Sequence, residues 1–157
     1  MPEAVYSIRA LPLPEPVRLT GRELGGDDVP TDALRAAALA YAREHLQGRV
    51  AFNGPTGWAV AVGRRGINKT LNHGARREHV QSVPALLALL ERAVLVFSEA
   101  NRDADEARNV PFVHTLLAAL VLGEGAEAVA YRVRLVGKET NEGYRFYDHD
   151  LSAPPAG

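Results

Sequence analysis

Histidine and lysine supply most of the chemically versatile side chains in this chain, which has five histidines and no cysteine among its 157 residues. An imidazole ordinarily titrates near a pKa of about 6.5, so close to neutral pH it can accept or donate a proton. Lys69 and His73, in the segment INKTLNHG, are four residues apart. If that segment is helical they share one face, where a single phosphate would meet both. His149, in YRFYDHDL, is the natural second histidine, and simple strand alternation puts Arg145 and Tyr147 on its face as phosphate and base contacts. Arg132 or Arg134, in YRVRLVG, extends that cationic patch. Arg76, Arg77 and His79 form a basic stretch whose charge would steer an anion rather than react with it.

Each of these residues also has a purely structural reading. Lys69 fits a solvated lysine near a helix end, His73 a cation favoured by a helix C-terminus before Gly74, and His149 a surface strand residue between two aspartates. His114, inside the apolar run VPFVHTLLAALVLG, reads first as a satisfied core histidine. It is the reserve candidate should that run be a strand on the face of the site. His45 ends a helix, where a cation suits the dipole, and takes no role.

Several chemistries are disfavoured. The lack of cysteine removes disulfides, thiolate nucleophiles and Cys-based zinc sites. There is no H-E-x-x-H, and Asp148-His149-Asp150 is weak ligand spacing because adjacent strand residues face opposite ways, so neither a metal nor another cofactor is expected. Gly63-x-x-Gly66 is too short for a Walker loop, and Ser82 and Ser98 lack a nucleophile elbow, which argues against nucleotide hydrolysis and serine catalysis. A net charge of -1 gives no overall basic field, so affinity for phosphate has to be local.

The length and an apolar content of 46% suit one α+β domain. Residues 1–30 hold five prolines (Pro2, Pro12, Pro14, Pro16, Pro30) and the Gly25-Gly26-Asp27-Asp28 cluster, and are expected to be an extended lead-in. The start has no long apolar run, so neither a secretory signal nor a membrane span is expected. Thr31 and Asp32 are candidate caps for a helix over DALRAAALAYAREHLQ, with Leu34, Ala38, Tyr41 and His45 at helical spacing. RVAFN and GWAVAVG predict a hairpin, PALLALLERA a buried helix and VLVFSEA a strand. NRDADEARN predicts a charged loop with nothing catalytic in it. VPFVHTLLAALVLG leans to helix by propensity, although Pro111 and Gly123 bracket a length that also suits a strand. AEAVAYRVRLVG, with Val129, Tyr131, Val133 and Leu135 on one face, and YRFYDHDL predict a closing β-meander. The domain proper spans 31–151, and 152–157 is expected to be a disordered tail.

GINKTLNHG followed by a buried helix, the segment AFNGPTGWAVAV, and the terminal pattern YRVRLVGKE…GYRFYDHDL resemble domains of large polyvalent phage proteins, phage head-morphogenesis proteins and polymorphic toxins. These are grouped with the barnase–EndoU–colicin–RelE nucleases, and the similarity runs from Leu19 to Leu151. The resemblance implies N-terminal helices packed on a four-stranded antiparallel sheet, which makes VPFVHTLLAALVLG a strand. It also implies metal-independent cleavage of RNA. His73 and His149 would then be the base and acid, and Lys69 with a strand arginine would stabilise the phosphorane. The product would carry a 2′,3′-cyclic phosphate. Arg145, Tyr147, Arg134 and Arg76 would bind the substrate. The expected partners are RNA and, for a toxin, a cognate immunity protein with an acidic surface. No membrane association is expected, and the site of action is the cytoplasm or a target cell's cytoplasm. The alternative is a non-catalytic module that binds nucleic acid or protein within a larger phage or effector protein.

Overall fold

The computed structural model describes residues 13–72 and 75–150. In chain order the elements are β1 (Val17–Leu19), α1 (Thr31–His45), β2 (Val50–Phe52), β3 (Ala59–Ala61), α2 (Arg64–Thr70), α3 (Arg77–Ser82), α4 (Leu86–Arg92), β4 (Val94–Ala100), β5 (Phe112–Leu122), β6 (Val129–Glu139) and β7 (Arg145–His149), with short 3-10 turns between some of them. The class is α+β, as expected.

The sheet differs from the expected four antiparallel strands. It has seven strands in the order β1-β5-β6-β7-β3-β2, with β4 also paired to β5. Two of the pairings, β1 with β5 and β3 with β7, are parallel. The physical reason lies in the connections: tight turns such as those of β2–β3 and β6–β7 enforce antiparallel neighbours, whereas β1 and β3 meet partners far along the chain, after helical crossovers that allow either direction.

The run VPFVHTLLAALVLG forms β5. Leu116, Leu117, Ala118, Ala119 and Leu120 are all buried, so both faces of the strand are covered and no alternation is visible in its sequence. One face of β5 and β6, with Leu116, Ala118, Leu120, Val133 and Leu135, meets the helices. Leu34, Ala38 and Ala42 of α1, four residues apart, form a fully buried stripe in the same core, where α1 packs chiefly on α3 and α2. Tyr41 packs at the edge of this core, and His45 lies against its ring at 4.6 Å. The chain enters α1 from Pro30, so Thr31 is its first helical residue rather than a cap. Fully burying one leucine is worth about 1.5–3 kcal/mol, so this stripe is a large part of what fixes the helix.

The described part of the lead-in is fastened to the domain. It contains β1, Gln81 Nε2 donates to the Gly21 carbonyl at 3.1 Å, and Arg77 donates to the carbonyls of Val29 at 2.7 Å and Gly26 at 3.2 Å. Arg77 therefore ties segments together, a correction to its expected place in a basic stretch that steers anions. The expected tail, 152–157, lies outside the described residues.

Two local devices place the polar residues that follow. Asn53, buried in the β2–β3 turn, donates to the carbonyls of Leu90 at 2.6 Å and Ala93 at 2.7 Å, and its Oδ1 accepts from Thr56 N and Oγ1. The turn is thereby locked to the end of α4, with Trp58 at its exit. At the other end of the hairpin, α2 lies directly on β7. Gly66 touches the strand backbone so closely that a Cβ there would penetrate the Tyr147 carbonyl oxygen. Thr70 Oγ1 donates to the Gly66 carbonyl at 2.8 Å, which leaves the buried Tyr147 hydroxyl as donor in the 2.6 Å bond between Thr70 and Tyr147. Gly66→Ala is therefore expected to push α2 off β7 and destabilise the domain by about 1–3 kcal/mol, read as a lowered midpoint in urea with an unchanged slope.

Candidate active site

Asp148 is 1% exposed, and a carboxylate so placed needs cationic or hydrogen-bond-donating partners. It has three. Lys69 Nζ lies 2.7 Å from Oδ1, Lys138 Nζ lies 3.3 Å from Oδ2, and His149 Nδ1 bonds Oδ2. Burial alone would raise the Asp148 carboxyl, but His149, Lys69 and Lys138 together hold it well below the ordinary carboxylate range. Lys138 extends the chain of charges to Glu106 at 2.7 Å, which also accepts from Asn101 at 2.7 Å and lies 3.6 Å from Arg65. Burial would lower the Lys138 ammonium, and Glu106 and Asp148 more than offset it. Lys69 comes from α2, Lys138 from β6, Glu106 from the β4–β5 loop, and Asp148 and His149 from β7, so the cluster exists only in the folded chain.

A bulge in β7 sets its geometry. Tyr147 pairs with Gly137 and His149 with Val136, so Asp148 is an extra residue opposite that step. Gly137 and Val136 are consecutive and face opposite ways, and their partners Tyr147 and His149 do too. This corrects the expected shared face of Arg145, Tyr147 and His149. Tyr147 enters the core at 1% exposure, where burial pushes its hydroxyl pKa well up, and it is not placed to touch a substrate. His149 has a side chain 44% exposed. With Asp148 ionised and accepting from Nδ1–H, the neutral ring presents Nε2 as its proton acceptor.

Of the other sequence-derived site residues, Arg134 donates from Nε to Asp150 at 2.6 Å beside this cluster. Asp150 has φ 79, a left-handed conformation that Asp tolerates better than most. Arg76 is exposed at the start of α3. His73 lies outside the described residues, and α2 ends at Thr70 with Leu71 already out of helical geometry, so the helical spacing assumed for Lys69 and His73 does not extend to Asn72. Arg64, Arg65, Asn68, Lys69 and Asn72 line an open cleft of about 560 Å³ against the cluster.

A second polar cluster occupies the other face of β6. His114 is 6% exposed, and its Nε2 lies 2.8 Å from Glu139 Oε1 and its Nδ1 2.6 Å from Ser98 Oγ. Arg145 Nε donates to Glu139 at 2.9 Å, and its guanidinium sits 4.2 Å over the Trp58 ring, which itself packs 4.6 Å from the His114 ring. Burial would raise the Glu139 carboxyl, but His114 and Arg145 hold it below its ordinary value. His114 and Arg145 thus belong together, and among the described contacts neither touches the Asp148 cluster.

Asp148, Lys138, Glu106, Glu139 and Trp58 were given no role from the sequence, and Ser98 was set aside there for want of a nucleophile elbow. Glu106 sits in the loop dismissed as having no chemistry. The Tyr-Asp-His ending was a signal for Asp148, because a carboxylate beside a histidine can orient it.

Fold and geometry together define a small α+β domain with two acid–base clusters at the end of a mixed sheet. Residues 31–147 match the model of the family described as large polyvalent protein-associated domain 3, and the chain belongs to that family. The polyvalent-protein association expected from GINKTLNHG and the terminal pattern is thereby shown. No curated protein and no solved structure matches the chain. Among the described residues, no helix is long and apolar enough to cross a membrane.

The depressed Asp148 carboxyl has a definite pH signature. A group whose folded pKa lies below its unfolded value of about 3.9 contributes stability that is complete above that value and is lost as pH falls through the folded one. Asp148→Asn is expected to destabilise the domain on the order of 3 kcal/mol at pH 7, because it leaves the half-buried Lys138 with one counter-charge fewer. In thermal melts, the gap between wild type and variant should stay constant from pH 7 to about 5 and narrow below about 4.

Proposed function

We propose that the domain is a metal-independent endoribonuclease whose working centre is the Asp148 cluster. The observation that supports this reading best is a half-exposed imidazole held at Nδ1 by a buried carboxylate, with Lys69 bonded to the same carboxylate. RNA cleavage by this route needs a base for the ribose 2′-hydroxyl, an acid for the departing 5′-oxygen, and fixed cations for the phosphorane. His149 Nε2 is one proton-transfer group, and Lys69 and Lys138 hold positive charge beside it. His73, near the end of the Lys69 helix in sequence, is the other, and the product is a 2′,3′-cyclic phosphate. The cleft lined by Arg64, Arg65, Asn68, Lys69 and Asn72 gives flanking phosphates a place to bind, as local affinity in an otherwise near-neutral molecule requires. An immunity protein with an acidic surface would fit the same cleft.

The cleft also favours a second reading, a module that holds nucleic acid without cutting it. Incubation of the purified chain with total RNA in EDTA separates the two. The nuclease reading expects cyclic phosphate ends from wild type and a loss of about 10²–10⁴-fold in rate for His149→Ala and His73→Ala, with Lys69→Ala also impaired and all variants folded by circular dichroism. Intact RNA after incubation with folded wild type, together with salt-sensitive retention on it, would replace the nuclease by the binding module.

A further inference from the structure

Ser98, His114 and Glu139 come from three strands and lie in line. Ser98 and His114 are paired across β4 and β5, and Glu139 lies two residues beyond Gly137, the β6 partner of His114. The hydrogen bonds fix the direction of the chain. Glu139 can only accept, so the 2.8 Å bond places a proton on His114 Nε2. In the neutral ring Nδ1 is then the acceptor, and the 2.6 Å bond makes the Ser98 hydroxyl its donor. That is the proton arrangement a serine nucleophile needs: hydroxyl to imidazole base, imidazole to an orienting carboxylate. The bond from Arg145 to Glu139 and the packing of Trp58 on His114 hold the acid and the base in place. His114 is buried, whereas Ser98 is exposed on β4, whose only strand pairing among the described residues is with β5. No linear motif announces this arrangement, because strand pairing assembles it in place of a nucleophile elbow.

We infer that Ser98 is a nucleophile, activated by His114 and oriented through Glu139, that takes an acyl group from a small ester. Ser98 Oγ bonds to the acyl carbon while its proton passes to His114 Nδ1. The ester carbon–oxygen bond breaks, and the leaving alkoxide takes that proton from His114 and departs as the alcohol. Water then attacks acyl-Ser98 with His114 as base, which releases the carboxylic acid and restores the serine. Trp58, half-buried beside the imidazole with the Arg145 guanidinium over its ring, borders the site, so the fitting substrates have a small acyl part. This site is independent of the Asp148 cluster and of the proposed RNA cleavage.

The test is reaction of the whole chain with p-nitrophenyl acetate, followed by nitrophenolate release and by peptide mapping of the acetyl group. The expected result is turnover or an acetyl adduct on Ser98 in wild type, both lost in Ser98→Ala. His114→Ala should slow nitrophenolate release by on the order of 10²–10⁴-fold. Glu139→Gln, which keeps the side-chain shape if the histidine variant fails to fold, should slow it and alter its pH profile. Folded wild type with neither turnover nor an adduct on Ser98, release that survives Ser98→Ala undiminished, or a Glu139→Gln variant that reacts at the wild-type rate and pH profile would overturn the inference.

Discussion

A carboxylate removed from water is tolerated only where positive charge and hydrogen bonds replace its hydration, and Asp148 draws that replacement from three parts of the chain. Lys69 requires α2 to lie on β7, which in turn requires a glycine at position 66. Lys138 requires β6 beside β7 and is itself held by Glu106 from the β4–β5 loop. His149 requires the bulge that sets Asp148 between two paired residues. The charge network and the chain topology therefore depend on one another. This coupling is also what gives the imidazole at the end of β7 a defined orientation.

The two faces of β6 separate two kinds of chemistry. Lys138 belongs to a cluster rich in cations, whose Lys69 and His149 reach towards solvent. Glu139, the next residue, belongs to the Ser98–His114–Glu139 chain beside Trp58, in which the histidine is buried and the serine exposed. Strand alternation alone keeps them apart, so a substitution in one cluster need not disturb the other.

Much of the fold was legible in sequence because local patterns and tertiary structure agree there. The helical spacing of Leu34, Ala38, Tyr41 and His45 gave α1, although its buried stripe is completed by Ala42, and alternation gave β6. The apolar run that became β5 was ambiguous by propensity, since a strand covered on both faces carries no alternation. The parallel pairings of β1 and β3 were illegible, because they depend on crossovers between distant segments. In the site, Lys69 and His149 were recognisable by residue type. The face of His149 was not, since a single bulge after Tyr147 reverses the alternation and turns His149 to the opposite side. Glu106 and Lys138 were passed over, and Ser98 set aside, for a related reason: their partners lie many residues away, and nothing in their own neighbourhoods marks them.

The central claim is that buried Asp148 fixes the tautomer of His149 and so leaves Nε2 as the reactive nitrogen. Nitrogen-15 NMR of the imidazole side chains, at a pH where His149 is neutral, tests it directly. The account predicts a proton on Nδ1 in wild type and a shift towards the Nε2–H form in Asp148→Asn. A wild-type ring already protonated at Nε2 would contradict it.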